Sequence, residues 1–295
     1  MKDTFSTYHP SIQFIYFAFV ILVTMFLWHP VLLAISFGTG MIYSIYLNGK
    51  KAVKFHLLGL LPLMVVAALI NPLFNHEGVN ILLYVNGNPI TLESIWFGVA
   101  AAVMLGSVIL WFSCYNTIMT SDKFVYLFGR AIPALSLILS MVLRFVPKYQ
   151  AQMKRICGAQ KCIGKNIGSG NWIIRAKNGM MILSVMTTWA FENAIETADS
   201  MKSRGYGLSG RTAYSIYRFD ARDKALLIGM VCLLVLILCS MGFGVVSVRY
   251  FPSFRLNDIA VQSGIVYVAY AAVCLLPMIL DIKEDIVWRS LRSQI

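Results

Sequence analysis

The sequence predicts an all-α integral membrane protein with about six transmembrane helices and two long amphipathic cytoplasmic helices. Hydrophobic residues make up 58% of the 295 positions and charged residues only 13%. Six apolar stretches approach the length of about 20 residues that a helix needs to cross a bilayer. One long segment near the middle of the chain keeps helical periodicity but holds most of the charge. This composition disfavours a soluble globular protein.

The six candidate spans divide the chain into three regions. His29 and Pro30 alone separate the first two spans, which suits a tight turn. We expect no cleavable signal peptide, because the first apolar run is long and is not followed by a small-residue cleavage site. We expect N-terminal transmembrane helices in residues 1–120, a cytoplasmic helical region in 121–224 and C-terminal transmembrane helices in 225–295. The spans are 12–28, 31–47, 56–74, 94–118, 225–248 and 260–281.

The distribution of charge predicts the topology. Residues 121–224 contain 16 of the 25 Lys and Arg residues but only 6 of the 13 Asp and Glu residues, which is typical of a cytoplasmic segment. The loop 48–54 has three lysines and is expected inside, whereas 75–93 has no Lys or Arg and is expected outside. Both termini then lie in the cytoplasm. The net charge of +12 needs no nucleic acid partner to explain it.

The 121–224 region predicts two helices with similar ends. The first runs through Pro147 to a glycine-rich break, "GKNIGSGN", and the second starts near Gly179. Arg204 and Gly205 form a helix stop, because a cation suits the negative end of the helix dipole and glycine adopts the left-handed conformation. "KCIG" at 161–164 and "KSRG" at 202–205 share a lysine and a closing glycine, 41 residues apart.

Motifs of catalysis and metal binding are absent from the sequence. There is no phosphate-binding GxxxxGK[ST] loop, no HExxH and no GxSxG. The six cysteines and four histidines are scattered without a ligand spacing, so we expect no metal, no cofactor and no enzymatic activity in this chain. The spans are nearly free of ionisable residues, which disfavours an ion-coupled carrier.

Several motifs in order resemble one family. "LSMVLRFVPKYQAQMKRICGAQKCIG" followed by "AIETADSMKSRGYG" is similar to the transmembrane T component of energy-coupling factor (ECF) transporters, the EcfT, CbiQ and BioN family. "NPLFNHEG" at 71–78 resembles the first external loop of that family. The resemblance covers 71–78 and about 120–225 by motif and the flanking spans by hydropathy alone.

This resemblance implies a coupling subunit of an ABC-type importer in a bacterial or archaeal plasma membrane. T components join a small membrane-embedded, substrate-binding S component to two cytosolic ABC ATPases, which receive the two helix ends and hydrolyse the ATP. The implied cargo is a micronutrient, a vitamin or a metal ion, chosen by the S component. The implied ATPase-binding residues are Arg155, Ala159, Gln160, Lys161, Cys162, Ile163, Gly164, Ser203, Arg204, Gly205 and Tyr206. The implied structural or hinge residues are Arg144, Pro147 and Pro133.

The sequence departs from the family pattern at one position and leaves alternatives open. Ile163 stands where the first motif has an arginine, so this end either couples more weakly or relies on shape more than on an ion pair. Arg204 also fits simple helix capping. Attraction to anionic lipid headgroups also explains Lys161, Lys165 and Arg155, and the two prolines fit helix-start and kink devices. A stand-alone secondary transporter and a membrane scaffold remain alternative functions.

Overall fold

The computed structural model describes residues 4–85, 88–129, 132–165, 168, 170–208, 217–244, 246–256 and 261–292. These residues are mostly helical, which confirms the predicted all-α class. Their helices are α1 (Pro10–Phe26), α2 (Pro30–Asn48), α3 (Lys50–Phe74), α4 (Leu92–Ile118), α5 (Ser121–Gly129), α6 (Pro133–Cys162), α7 (Trp172–Ser203), α8 (Ala221–Gly242) and α9 (Val261–Arg292). Helix α3 includes a π-helical stretch, His56–Leu60, and a short 3₁₀ helix covers Phe5–Thr7.

Two short antiparallel hairpins complete the described structure. Strand β1 (Ile81–Val85) pairs with β2 (Asn88–Thr91), and β3 (Val248–Arg249) pairs with β4 (Arg255–Leu256). The predicted glycine-rich break and the loop "VRYFPSFRLND" lie partly outside the described residues. The chain divides into two compact units, Met1–Lys123 with Tyr217–Ile295 as unit 1, and Phe124–Ile216 as unit 2.

Among the described helices, five in unit 1 are long and apolar enough to cross a bilayer: α2, α3, α4, α8 and α9. The first predicted span is present as α1, but at 17 residues it is shorter than the other five. It ends at Phe26, where Leu27 becomes extended, and Pro30 starts the next helix and disfavours the helical conformation at His29.

A buried polar cluster ties four helices of unit 1 together. The Thr24 hydroxyl lies 2.8 Å from the Ser36 hydroxyl and 2.9 Å from the Tyr270 hydroxyl. The Trp111 indole N–H donates to the same Ser36 oxygen at 3.0 Å. Since unpaired polar groups are costly at membrane depth, these mutual bonds favour one arrangement of α1, α2, α4 and α9.

Helices α3 and α4 pack closely because glycines line their contact. A Cβ atom on Gly98 would lie 2.6 Å from the Ala68 carbonyl oxygen, and one on Gly106 would lie 2.7 Å from the Met64 sulfur. Small residues are the usual means of close helix approach in membranes.

The loop between α3 and α4 is folded around a buried carboxylate. Glu93 is 1% exposed and accepts hydrogen bonds from the Asn80 backbone and side-chain nitrogens. Gly78 sits against it with φ +143°, where a Cβ would lie 2.7 Å from the Glu93 carboxylate. The Asn71 side chain donates to the Ser94 carbonyl at 2.8 Å. The segment 71–78 therefore shapes this loop.

Charged side chains hold the N-terminal segment of unit 1. Asp281 suits a solvated anchor by its position at a span end, but that expectation is wrong: it is 2% exposed and accepts from the Thr4 and Phe5 amides at 2.8 and 3.2 Å. Lys123 is 6% exposed and donates to the Ser6 carbonyl at 2.7 Å and to the Gln13 side chain at 3.0 Å. The segment before α1 is thus fixed where α5 begins.

Candidate coupling site

Helices α6 and α7 form an antiparallel hairpin in unit 2. Both long helices of the 121–224 region are present, as expected. Their contact contains a small hydrophobic cluster in which Ile156, Ile182 and Met186 are buried. Each such side chain contributes about 1.5–3 kcal/mol when fully buried. Few buried residues therefore hold the two helices together at this contact, which we call the crossing. Both ends of each helix lie outside it.

A second set of contacts lies about two turns earlier on α6 and one to two turns later on α7. The Tyr149 and Trp189 rings meet edge to face with centroids 5.2 Å apart. The Lys148 ammonium lies 5.5 Å from the centre of the Trp189 ring and donates a hydrogen bond to the Asn193 side-chain oxygen. Earlier residues of α6 thus contact later residues of α7, as expected for an antiparallel pair.

A charged groove of about 440 Å³ runs beside this crossing. Its walls carry opposite charges, with Arg155 and Lys148 on α6 and Glu192 and Glu196 on α7. No ion pair closer than 4 Å joins these four side chains in the described part of the chain. Arg155 therefore lies at the crossing and not at the end of α6, which is a position the linear motif does not indicate.

Helix α6 ends in a Schellman motif. The Lys165 amide donates to the Gln160 carbonyl at 2.9 Å, and the Gly164 amide donates to the Lys161 carbonyl at 3.1 Å. Gly164 has φ +78°, a conformation that costs an L side chain roughly 1–2 kcal/mol. The predicted stop at this glycine is confirmed.

Helix α7 ends in the same motif. The Tyr206 amide donates to the Met201 carbonyl at 3.0 Å, and the Gly205 amide donates to the Lys202 carbonyl at 3.0 Å. Gly205 has φ +77°. These two hydrogen bonds occur at both ends at an offset of 41 residues, so the sequence similarity of "KCIG" and "KSRG" reflects a shared helix-ending geometry.

Most of the predicted ATPase-binding residues at the two ends are accessible. Ile163 is 68% exposed and Tyr206 is 47% exposed, whereas Gln160 and Gly205 are half-buried. The Gln160 side-chain oxygen is buried and has no hydrogen-bond partner in the described residues. The exposed members are Arg155, Ala159, Lys161, Cys162, Ile163, Gly164, Ser203, Arg204 and Tyr206.

The two ends lie on opposite sides of the crossing. Thirteen residues separate Tyr149 from Cys162, and fourteen separate Trp189 from Ser203. At a rise of 1.5 Å per residue each end is about 20 Å along its helix from the ring contact. Because the helices are antiparallel, these arms extend in opposite directions.

The three predicted structural residues lie on α6. Pro133 is its first residue, as a proline at a helix start should be. Helix α6 continues through Pro147, and both Pro147 and Arg144 are exposed. The role of Arg144 and Pro147 as hinge residues stays a prediction.

The start of α7 differs from expectation, and the structure exposes the apolar stripe whose partner the sequence leaves open. The helix begins at Trp172 and not near Gly179, because the Asn171 side chain caps it by accepting from the Trp172 amide at 2.8 Å. In its second half, Phe191 and Ile195 are 67% and 64% exposed. The polar face contacts α6, and the apolar stripe points away from it.

Comparison with known proteins gives relatives of one kind. The chain is 34% identical to the energy-coupling factor transporter transmembrane protein EcfT of Lactococcus lactis subsp. cremoris over 105 residues, which is 35% of this chain and 40% of the relative. It is 37% identical to EcfT of Listeria innocua over 100 residues, 34% of this chain and 38% of the relative. No family model matches the chain.

A longer alignment joins the chain to EcfT of Staphylococcus aureus. It is 28% identical over 221 residues, which is 70% of this chain and 82% of the relative. The first relatives, by contrast, are matched over about two fifths of their length. The predicted resemblance is confirmed: this multi-pass membrane protein is similar to the transmembrane components of ECF transporters.

Proposed function

We propose that this chain, as a relative of the EcfT proteins, is the transmembrane coupling subunit of an ECF-type importer. It transmits motion from two cytosolic ATPases to a substrate-binding S component, without hydrolysing ATP itself. The imported solute is a micronutrient whose identity depends on the S component.

The observation that carries this proposal is the pair of matching helix ends. Gly164 and Gly205 close α6 and α7 with the same hydrogen bonds, and the two ends lie on opposite sides of one crossing. Two related sockets, one on each ATPase, would receive such a pair. An exposed helix end fits a groove, and the Arg204 guanidinium suits a carboxylate within it.

The limited contact between α6 and α7 supports transmission of motion. Closure of two ATPases around bound nucleotide would move the two ends relative to each other. The crossing, held by few buried side chains and flanked by a charged groove, permits the helices to change their angle. The membrane helices of unit 1 would pass this change to the S component.

The exposed apolar stripe of α7 supports an apolar partner. The sequence left open whether Phe191 and Ile195 pack on the sister helix or on another protein, and in this chain they are exposed. An S component is itself very hydrophobic, so it suits this stripe. A carrier that acts alone would have no partner protein to bind this stripe.

Arg204→Glu tests the proposal. The variant reverses the charge at one helix end, where no partner within the described residues depends on it, so we expect normal membrane insertion. Loss of a paired charge at a protein interface costs about 2–5 kcal/mol, which is a loss of affinity of at least about thirtyfold. The measurement is the amount of ATPase subunits and S component that co-purify with the chain, together with solute uptake.

Lys154→Glu is the matched control. Lys154 is exposed on α6 and changes the net charge equally, but it lies outside both helix ends. We expect it to retain both ATPases. Retention of the complex and of uptake in Arg204→Glu would contradict the role of Arg204, and uptake into sealed vesicles by the purified chain alone would contradict the coupling function.

A further inference from the structure

We propose that the start of α7 is a membrane-surface anchor that binds anionic lipid headgroups. The anchor, called here the basic tip, joins three apolar side chains to three cations. It consists of Lys165, Trp172, Ile173, Ile174, Arg175 and Lys177. Lys165 directly follows Gly164 at the end of α6, whereas the other five residues belong to α7 and lie outside both ATPase-binding ends.

The apolar part of the basic tip is among the most exposed in the described chain. Trp172 is 81% exposed, Ile173 is 75% exposed and Ile174 is 52% exposed. The hydrophobic cluster at the crossing begins only at Ile182 on this helix, so α6 does not cover these side chains. Three adjacent large apolar side chains in water are unfavourable, which calls for a partner.

The backbone holds these side chains in a fixed place. The Asn171 side chain caps the helix, and the Arg175 amide bonds the Asn171 carbonyl at 3.0 Å. Gly170, at φ +98°, lies against Ile174, where a Cβ would approach its side chain to 3.3 Å. The basic tip is therefore part of an ordered helix start.

The charge around the basic tip is of one sign. Residues 123–191 contain ten Lys or Arg residues and no Asp or Glu. The acidic residues of α7 are confined to Glu192, Glu196 and Asp199, near its other end. Arg175 and Lys177 follow the exposed tryptophan and isoleucines on α7, and this combination matches an interface of acyl chains and anionic headgroups.

Anionic lipid explains this combination better than a protein surface does. A lipid interface offers apolar depth for Trp172 and negative charge for Lys165 and Lys177 at once, and it is always near a membrane protein. Each Lys or Arg near an anionic bilayer strengthens binding by about fivefold. Binding of the basic tip to lipid does not require the ATPases, so it can be tested independently of the coupling function.

The fluorescence of Trp172 provides the test. The full chain is placed in nanodiscs with brominated acyl chains, made either of phosphatidylcholine alone or of phosphatidylcholine with phosphatidylglycerol. The emission of Trp172→Phe is subtracted from that of the parent to isolate Trp172 from the other five tryptophans. We expect quenching of the Trp172 emission in the discs that contain phosphatidylglycerol and much less in phosphatidylcholine alone.

Two double variants assign the effect to the basic tip. Lys165→Gln with Lys177→Gln should shift the bound-to-free ratio of the tip by about thirtyfold and remove most of the quenching. Lys50→Gln with Lys51→Gln removes the same charge from an exposed pair in unit 1 and should leave the quenching unchanged.

Other outcomes overturn the inference. Equal quenching in both kinds of disc would mean apolar insertion without recognition of anionic lipid. Absence of quenching in both would mean that the tip does not contact the bilayer. A Trp172 spectrum that changes only on addition of ATPase subunits would identify the tip as a protein interface.

Discussion

The ends of α6 and α7 share a backbone and differ in chemistry. Both close with a glycine near φ +78° and with the same pair of hydrogen bonds. At the first end Ile163 occupies the position that Arg204 occupies at the second, and Lys165 occupies that of Tyr206. The first end is part of a long acid-free stretch, whereas the second follows three acidic residues within fifteen positions.

This difference separates shape from charge in the proposed docking. The shared Schellman geometry specifies how each helix end is presented, since it depends only on the glycine and the preceding turn. The side chain before the glycine then decides whether a guanidinium is available at the end. We infer that the second end docks through charge and shape, whereas the first, which has lysines but no arginine, depends more on shape.

An exchange of the two side chains should have the largest effect. Arg204→Ile removes the proposed ion pair of the second end and should weaken ATPase binding by about 2–5 kcal/mol. Ile163→Arg adds a guanidinium at an exposed position and should strengthen binding at the first end. The measurement is the dissociation constant of purified ATPase subunits for each variant. Unchanged binding in Arg204→Ile would mean that charge does not distinguish the ends.

Trp189→Ala should loosen the crossing from which both ends extend. The substitution removes the edge contact with Tyr149 and the ring surface on which Lys148 lies. It should destabilise the contact between α6 and α7 by about 1–3 kcal/mol. Hydrogen exchange of the amides around Ile156 and Ile182 should accelerate. Phe191→Ala, at a site 67% exposed, is the control and should leave these amides protected. Equal protection in Trp189→Ala would show that the hydrophobic cluster alone holds the helices.

Alanine at the two closing glycines should compare the ends directly. Both substitutions strain a left-handed residue by about 1 kcal/mol or more. Gly205→Ala also brings a Cβ within 3.1 Å of Leu208, whereas Gly164 faces open space, so the second end should fray more. The hydrogen-exchange rates of the Lys165 and Tyr206 amides measure the fraying of the two ends.

Gly158→Ala is the control for the glycine pair. This glycine is inside α6 with nothing within 4 Å of an added Cβ, so alanine should stabilise the helix by about 0.5–1 kcal/mol. Faster amide exchange in Gly164→Ala than in Gly205→Ala would contradict the prediction that the second end frays more.

Charge exchange across the groove should have the smallest effect. Arg155→Glu and Glu196→Arg each place like charges on facing walls, and the double variant restores opposite charges. We expect a coupling energy of about 0.2–1 kcal/mol that decreases with added salt. ATP-driven uptake of the three variants at low and high salt measures it. Independent, additive effects would mean that Arg155 acts elsewhere, for instance on an ATPase as the motif resemblance implies.

The sequence predicts the helix ends well because their signals are local. A closing glycine after a basic last turn is sufficient to locate the stops at Gly164 and Gly205. Gly179 resembles a break, so the predicted start of α7 is wrong. A glycine inside a helix costs only about 1 kcal/mol relative to alanine, and α7 continues through it. The nearer signal was Asn171, a favoured capping residue.

Contacts between distant residues could not be predicted in this way. Asp281 binds the amides of Thr4 and Phe5, more than 270 positions away. At the crossing, the periodicity of α6 groups Met153 with Tyr149 and Ile156, yet Met153 is 44% exposed and the partner surface is formed by Trp189 and Asn193. Which turn of a helix meets its neighbour depends on the tertiary packing.

Site-specific photo-crosslinking tests the central claim most directly. p-Benzoylphenylalanine replaces Ile163, Tyr206 or Trp172 in the full complex, and the products are identified by mass. The account predicts that Ile163 and Tyr206 each crosslink to a cytosolic nucleotide-binding subunit, while Trp172 does not. Absence of such products at both Ile163 and Tyr206 would contradict the account of two helix ends docked in two motor subunits.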